Sequence, residues 1–83
     1  MIKVQFFASI REALGTESIA VETVKGNSLV SDLIEQLCEE KPEWGDVLMD
    51  SKVLVAINQE MTHQGAKLES DDEVALFPPV TGG

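Results

Sequence analysis

Cysteine is nearly absent from this sequence. Cys38 stands alone among 83 residues, so no internal disulfide can form, and the chain is not a stapled scaffold of an oxidising compartment. Histidine is equally scarce. His63 lies far from Cys38 with no ligand spacing between them, which excludes a His/Cys metal cluster. Cations are few: 6 Lys+Arg stand against 15 Asp+Glu, a formal net charge of -9. Such a surface repels phosphate backbones and anionic headgroups, which argues against nucleic-acid and membrane partners. No apolar run approaches the ~20 residues needed to span a bilayer. The opening MIKVQFFASIRE carries too short an apolar stretch, bounded by Gln5 and Arg11, to read as a signal peptide. These absences lead to the expectation of a soluble protein of a reducing compartment, the cytoplasm.

What is present reads as one small domain. The apolar fraction is 43%, enough for a folded core. Ile2, Val4, Phe6 and Ala8 alternate with Lys3, Gln5, Phe7 and Ser9, which predicts a strand over 2–8. After Gly15-Thr16, a second alternating stretch over 19–23 predicts an N-terminal hairpin. Ser28 is the expected N-cap of a helix whose apolar half is Leu29, Val30, Leu33, Ile34, Leu37 and Cys38. Pro42 ends that helix and opens a short helical piece through Trp44, Val47 and Leu48. The run over 53–59 predicts an interior strand, and Asn58-Gln59-Glu60 a turn. A short strand is expected between Met61 and Leu68, a turn at Ser70-Asp71-Asp72 and a last strand over 73–77. Pro78-Pro79 stops it. The expected class is α+β: a mixed sheet packed on one main helix, with the first and last strands adjacent. Residues 1–77 form the domain and residues 78–83 an extended tail.

The usual catalytic constellations are missing, as are glycine-rich phosphate loops. His63 reads as a solvated loop residue, Cys38 as inert packing, and Glu39-Glu40 and Asp71-Asp72 as solvated charge. What remains is the terminal Gly82-Gly83. Two such glycines arise by chance about 0.5% of the time, which favours a role over a frayed end. Pro78-Pro79 stiffens the exit, and the six residues after Phe77 reach about 20 Å when extended. Glycine has no Cβ, so the tip fits a channel too narrow for side chains. Its reactive group is the main-chain carboxylate. Adenylation makes that carboxylate a mixed anhydride. A sulfur donor then yields a thiocarboxylate, and an amine yields an amide. Neither step needs a catalytic side chain on this chain, so those groups belong to partners. Strand parity turns Phe7, Ala75 and Phe77 onto the outer face of the sheet, beside the root of the tail, as a docking patch. The acidic surface is suited to steering the chain toward basic regions of a partner.

The run Phe6-Phe7-Ala8, Arg11-Glu12 and Gly15 resembles the FFA-x-x-R-E-x-x-G opening of the small, sulfur-carrier subunits of molybdopterin synthase. The closing residues from Asp72 to Gly83 are similar to that family's D-E-V-A-x-F-P-P-V-x-G-G ending, and Val55-Ala56-Ile57-Asn58 to its middle strand. The resemblance implies a β-grasp, ubiquitin-like fold. It implies that the Gly83 carboxylate is adenylated by an activating enzyme that uses ATP, with no cofactor held tightly by the carrier, and is then converted to a thiocarboxylate. It implies a heterotetramer in which two carriers flank a dimer of large catalytic subunits. Each carrier acts as a non-catalytic, sulfur-donating part of a transferase, and the acceptor is cyclic pyranopterin monophosphate. By position, Phe7, Met61 and Phe77 form the docking patch and Arg11 a polar contact. Pro78, Pro79, Val80, Thr81, Gly82 and Gly83 occupy the partner's channel. One departure is visible: Asp71 stands where the family's D-G-D-E turn has glycine. The competing readings are a sulfur carrier for thiamine synthesis, a ubiquitin-like protein modifier and a passive binding module. The Phe6-Phe7-Ala8 and Arg11-Glu12 opening argues against the first.

Overall fold

The computed structural model describes residues 1–50 and 52–79. The elements run β1 (Ile2–Phe6), α1 (Ala8–Leu14), β2 (Ser18–Val21), α2 (Val30–Glu40), a 3₁₀ turn (Pro42–Trp44), α3 (Gly45–Leu48), β3 (Leu54–Ile57), β4 (Glu60–Thr62) and β5 (Glu73–Phe77). The strands form one sheet in the order β2-β1-β5-β3-β4. β1 and β5 run parallel, with Val4 opposite Val74 and Phe6 opposite Leu76. The other pairings are antiparallel. The first and last strands are therefore neighbours, as the sequence predicts, and the main helix covers one face of the sheet.

The alternation in β1 and β5 sets the layers. Val4, Val74 and Leu76 are fully buried, and Phe6 nearly so. They meet Val30, Leu33 and Leu37, which recur at helical spacing along α2. The short helical piece after Pro42 supplies Trp44, whose ring meets Phe6 edge-to-face at 5.3 Å and 77°, a favoured aromatic geometry. Together these residues form a single two-layer core.

Two expectations at the N-terminal end are corrected. The strand expected over 2–8 stops at Phe6, and the connection to β2 is not a short hairpin loop but the two-turn helix α1. Ala8 takes φ +50°, which turns the chain out of the sheet at roughly 1 kcal/mol for a residue with a Cβ. Ile10 then buries itself and Leu14 packs on the core. Gly15 ends the helix at φ +64°, donating its N–H to the Arg11 carbonyl. β2 begins one residue earlier than expected and stops at Val21.

A third correction concerns the start of α2. Ser28 lies outside the helix at φ +59°, and Leu29 is the N-cap. Capping comes from Asp32, whose carboxylate accepts the Leu29 N–H at 3.1 Å and the Asn27 N–H at 3.0 Å. A Cβ on Gly26 would lie 3.1 Å from that carboxyl group, a tight contact, and its φ of +79° is a conformation that favours glycine.

The other turns agree with the sequence. Asn58 and Gln59 both have positive φ between Ile57 and Glu60, the conformation of a two-residue type I′ hairpin. β3 covers only Leu54–Ile57 of the expected 53–59: Val53 stays outside, its N–H donated to the Asp50 carbonyl, and the turn takes the last two residues. Asp71 adopts φ +67°, the left-handed conformation for which glycine is favoured and Asp is tolerated. A mixed five-stranded sheet with a parallel central pair, crossed on one face by a helix, is the β-grasp arrangement.

Candidate functional site

The outer face of the sheet carries the aromatic pair. Phe7 follows β1 in extended conformation (φ -121°, ψ 153°) and serves as the N-cap of α1. Its N–H donates to the Leu76 carbonyl at 3.1 Å, which continues the β1–β5 ladder. Parity therefore holds, and its ring points away from the core. Phe77, at the end of β5, points the same way. The two rings stack at 4.7 Å with 15° between planes. Both are half-buried: each shields part of the other, and the rest faces solvent.

Register extends this pair into a surface. Leu54 lies directly opposite Phe77. In the adjoining row, Gln5 pairs with Ala75, Ala75 with Ala56, and Ala56 with Met61. Residues directly opposite share a face, so the aromatic row is flanked by a row in which Ala75 and Ala56 stand between Gln5 and Met61. That methionine is 62% exposed, and its flexible thioether suits an adaptable contact surface. The sequence reading placed Phe7, Ala75 and Phe77 on this face. It missed Leu54 and Ala56, because a continuous apolar run hides which residues face which layer. The register supplies that answer: Val55 opposes core residue Leu76, so its neighbours lie on the outer side of the sheet, Leu54 half-buried and Ala56 buried.

Arg11 sits one turn into α1, exposed, and its N–H donates to the Phe7 carbonyl. With Phe7, Lys3, Gln5 and Glu17 it borders a hollow of about 170 Å³. Pro78 and Pro79 leave β5 directly after Phe77 and are half-buried. Val80, Thr81, Gly82 and Gly83, the part of the tail expected to carry the chemistry, lie outside the described residues.

The remaining candidates take structural places. His63 is exposed, and its Nδ1 accepts the Gly65 N–H at 3.1 Å. Cys38 is half-buried against the core, and burial pushes its thiol pKa up, which disfavours the nucleophilic thiolate. Glu39 and Glu40 are exposed. The Asp71-Asp72 pair is more than solvated charge. Asp72 accepts the Asn58 side-chain N–H at 2.9 Å and the Glu69 N–H at 2.8 Å, while Asn58 Oδ1 accepts the Glu73 N–H at 3.0 Å. These bonds tie the β3–β4 turn to the entry of β5. Asp71 meets the N-terminal ammonium at 3.1 Å. Among the described residues, no group of three or more His, Cys, Asp or Glu side chains is placed to hold a metal. No helix among them is long and apolar enough to cross a membrane.

Fold and surface together define a ubiquitin-like, β-grasp protein whose half-buried aromatic pair borders the root of its C-terminal segment. Residues 4–83 match the ThiS family, and the chain belongs to it. It is 42% identical over 83 residues to the molybdopterin synthase sulfur carrier subunit of Escherichia coli (strain K12), with the whole of both chains covered. Among solved structures it resembles SAMP1, the small archaeal modifier protein 1 of Haloferax volcanii, at a TM-score of 0.77 and 30% identity, covering 99% of this chain and 98% of that one. It also shares its fold with a chain from the complex of subunits 1 and 2 of the molybdopterin-converting factor of Helicobacter pylori. The TM-score there is 0.65 at 23% identity, covering 99% of this chain and 97% of that one.

Proposed function

We propose that this chain is the sulfur carrier of a molybdopterin synthase, delivering sulfur on the carboxyl group of Gly83. The observation that carries the reading is its end-to-end 42% identity with a subunit of that name. The aromatic patch beside the tail root supports it, since a carrier must be gripped where its reactive end departs. In this reading an activating enzyme joins the Gly83 carboxylate to the adenylyl group of ATP and releases pyrophosphate. A sulfur donor displaces AMP and leaves a thiocarboxylate. The tail, from Pro78 onward, enters the large subunit's active site. Sulfur passes there to cyclic pyranopterin monophosphate, and water restores the carboxylate. Phe7, Phe77 and Met61 dock on the large subunit, and Arg11 adds a polar contact at the rim.

The likeness to SAMP1 favours a second reading, in which the same activated carboxyl group is captured by a target amine. One experiment separates the two. The purified chain is incubated with activating enzyme, ATP and a sulfur donor, and its intact mass is measured. A carrier gains the mass of an oxygen-to-sulfur exchange, and the gain disappears when Gly83 is deleted. A modifier gives Gly83-dependent adducts on other proteins in cell extract. Absence of the thiocarboxylate under these conditions refutes the carrier reading.

A further inference from the structure

One hollow beside the tail root shares only Leu54 with the patch described above. It is bordered by Lys52, Leu54, Thr62, His63, Gln64 and Pro79 and encloses about 660 Å³. It lies where the β3–β4 pair ends, and the Gln64 side chain spans that end by donating to the Val53 carbonyl at 3.4 Å. We infer that this notch is the second half of the docking surface, and that it seats an apolar side chain of the large subunit accompanied by a carboxylate. The inference rests on the sulfur-carrier reading and specifies its partner.

Three observations converge on it. Continuity is the first. Leu54 is directly opposite Phe77 in the register and also borders the notch, so the aromatic patch and the notch are one uninterrupted surface. Reach is the second. Pro79 forms part of the wall, and the four residues beyond it span at most about 14 Å. An active site that receives Gly83 therefore opens within that distance of Pro79, which brings the large subunit beside the notch.

Charge is the third. The chain holds 6 cations against 15 acids, yet the notch is bordered by the cation Lys52 and by no acidic residue. Other hollows carry carboxylates: Glu22 and Glu69 in one, Asp32, Glu35 and Glu39 along α2, and Glu17 in a third, where Lys3 and Arg11 accompany it. A partner carboxylate is thus favoured at the notch over the acid-bordered hollows beside Glu22 and Glu69 and along α2. Apolar contact with Leu54 and Pro79 then accounts for the neighbouring anchor.

The test is titration calorimetry of the full chain against the purified large subunit at low and high salt. The variants are Leu54→Ala and Lys52→Glu, with Phe77→Ala as reference and Glu35→Lys as a remote control. Circular dichroism first confirms that each is folded. The inference expects Leu54→Ala to weaken binding about fivefold or more, the effect of losing a well-packed anchor. Lys52→Glu weakens it about fivefold at low salt and less at high salt, as a rim charge does. Glu35→Lys leaves the notch interaction intact. If both notch variants bind like the unaltered chain while Phe77→Ala binds less well, the notch is overturned and the carrier reading stands. If the unaltered chain forms no complex with the large subunit, both fall together.

Discussion

Replacing Phe77 with alanine removes the ring that joins the end of the sheet to the tail. In the free chain this abolishes the 4.7 Å stack on Phe7, worth about 0.5–1.5 kcal/mol. Truncating a fully buried phenylalanine costs about 3–5 kcal/mol. A half-buried ring on an open sheet face should cost roughly half that, so the variant remains folded at ambient temperature. Binding is the more telling quantity. A phenylalanine side chain buries ~150–250 Å² when fully covered, and Phe77, most of it already covered in the free chain, leaves ~15–80 Å² for a partner. At ~25 cal/mol/Å² that area contributes ~0.4–2 kcal/mol, or roughly 2- to 30-fold in Kd. Calorimetric titration of Phe77→Ala against the large subunit measures the change directly. Phe7→Ala and the double variant complete a cycle, and stacked rings acting as one surface should show a coupling of about 0.5–1.5 kcal/mol. An unchanged Kd in a folded Phe77→Ala chain refutes the assignment of this face to docking.

Other expected outcomes concern the scaffold. Leu33 is fully buried on α2, so Leu33→Ala should lower stability by about 2–5 kcal/mol in a urea titration. A loss within ~0.5 kcal/mol contradicts its place in the core. Asp71 holds φ +67°, so Asp71→Gly should leave stability within about 0.5 kcal/mol, whereas Asp71→Val should lose ~1–2 kcal/mol to the crowded left-handed backbone. Equal stabilities for the two contradict the turn geometry. Because burial raises the Cys38 thiol pKa, alkylation by iodoacetamide near neutral pH should be slower than for a free peptide thiol and should accelerate as pH rises. A rate equal to the peptide's counts against the burial argument.

The parts of the fold that follow from periodicity were legible in the sequence. Alternation across β1 and β5 and the spacing of Val30, Leu33, Ile34 and Leu37 on α2 each identify a buried face without knowledge of what covers it. Helix α1 was not legible. It spans only two turns and follows a strand pattern without a break, and its signals, the Ile10–Leu14 spacing and the closing Gly15, are short. The cap of α2 was misplaced for a related reason. Ser28 has the right chemistry for capping, but Asp32 reaches back to the Leu29 N–H, a contact that depends on how the Gly26-Asn27 loop folds over the helix end.

The same division holds at the site. The sequence alone identified the Gly-Gly ending, the two phenylalanines and their common parity, because each is a property of residue type or of a two-residue repeat. Tertiary structure decided that Phe7 and Phe77 stack, since their strands are far apart in the chain and meet only through the parallel β1–β5 pairing. It also decided that Leu54 joins them and that Lys52 and His63 gather beside Pro79. Register and crossover connections bring such residues together, and no local pattern of the chain encodes which distant strand will lie alongside.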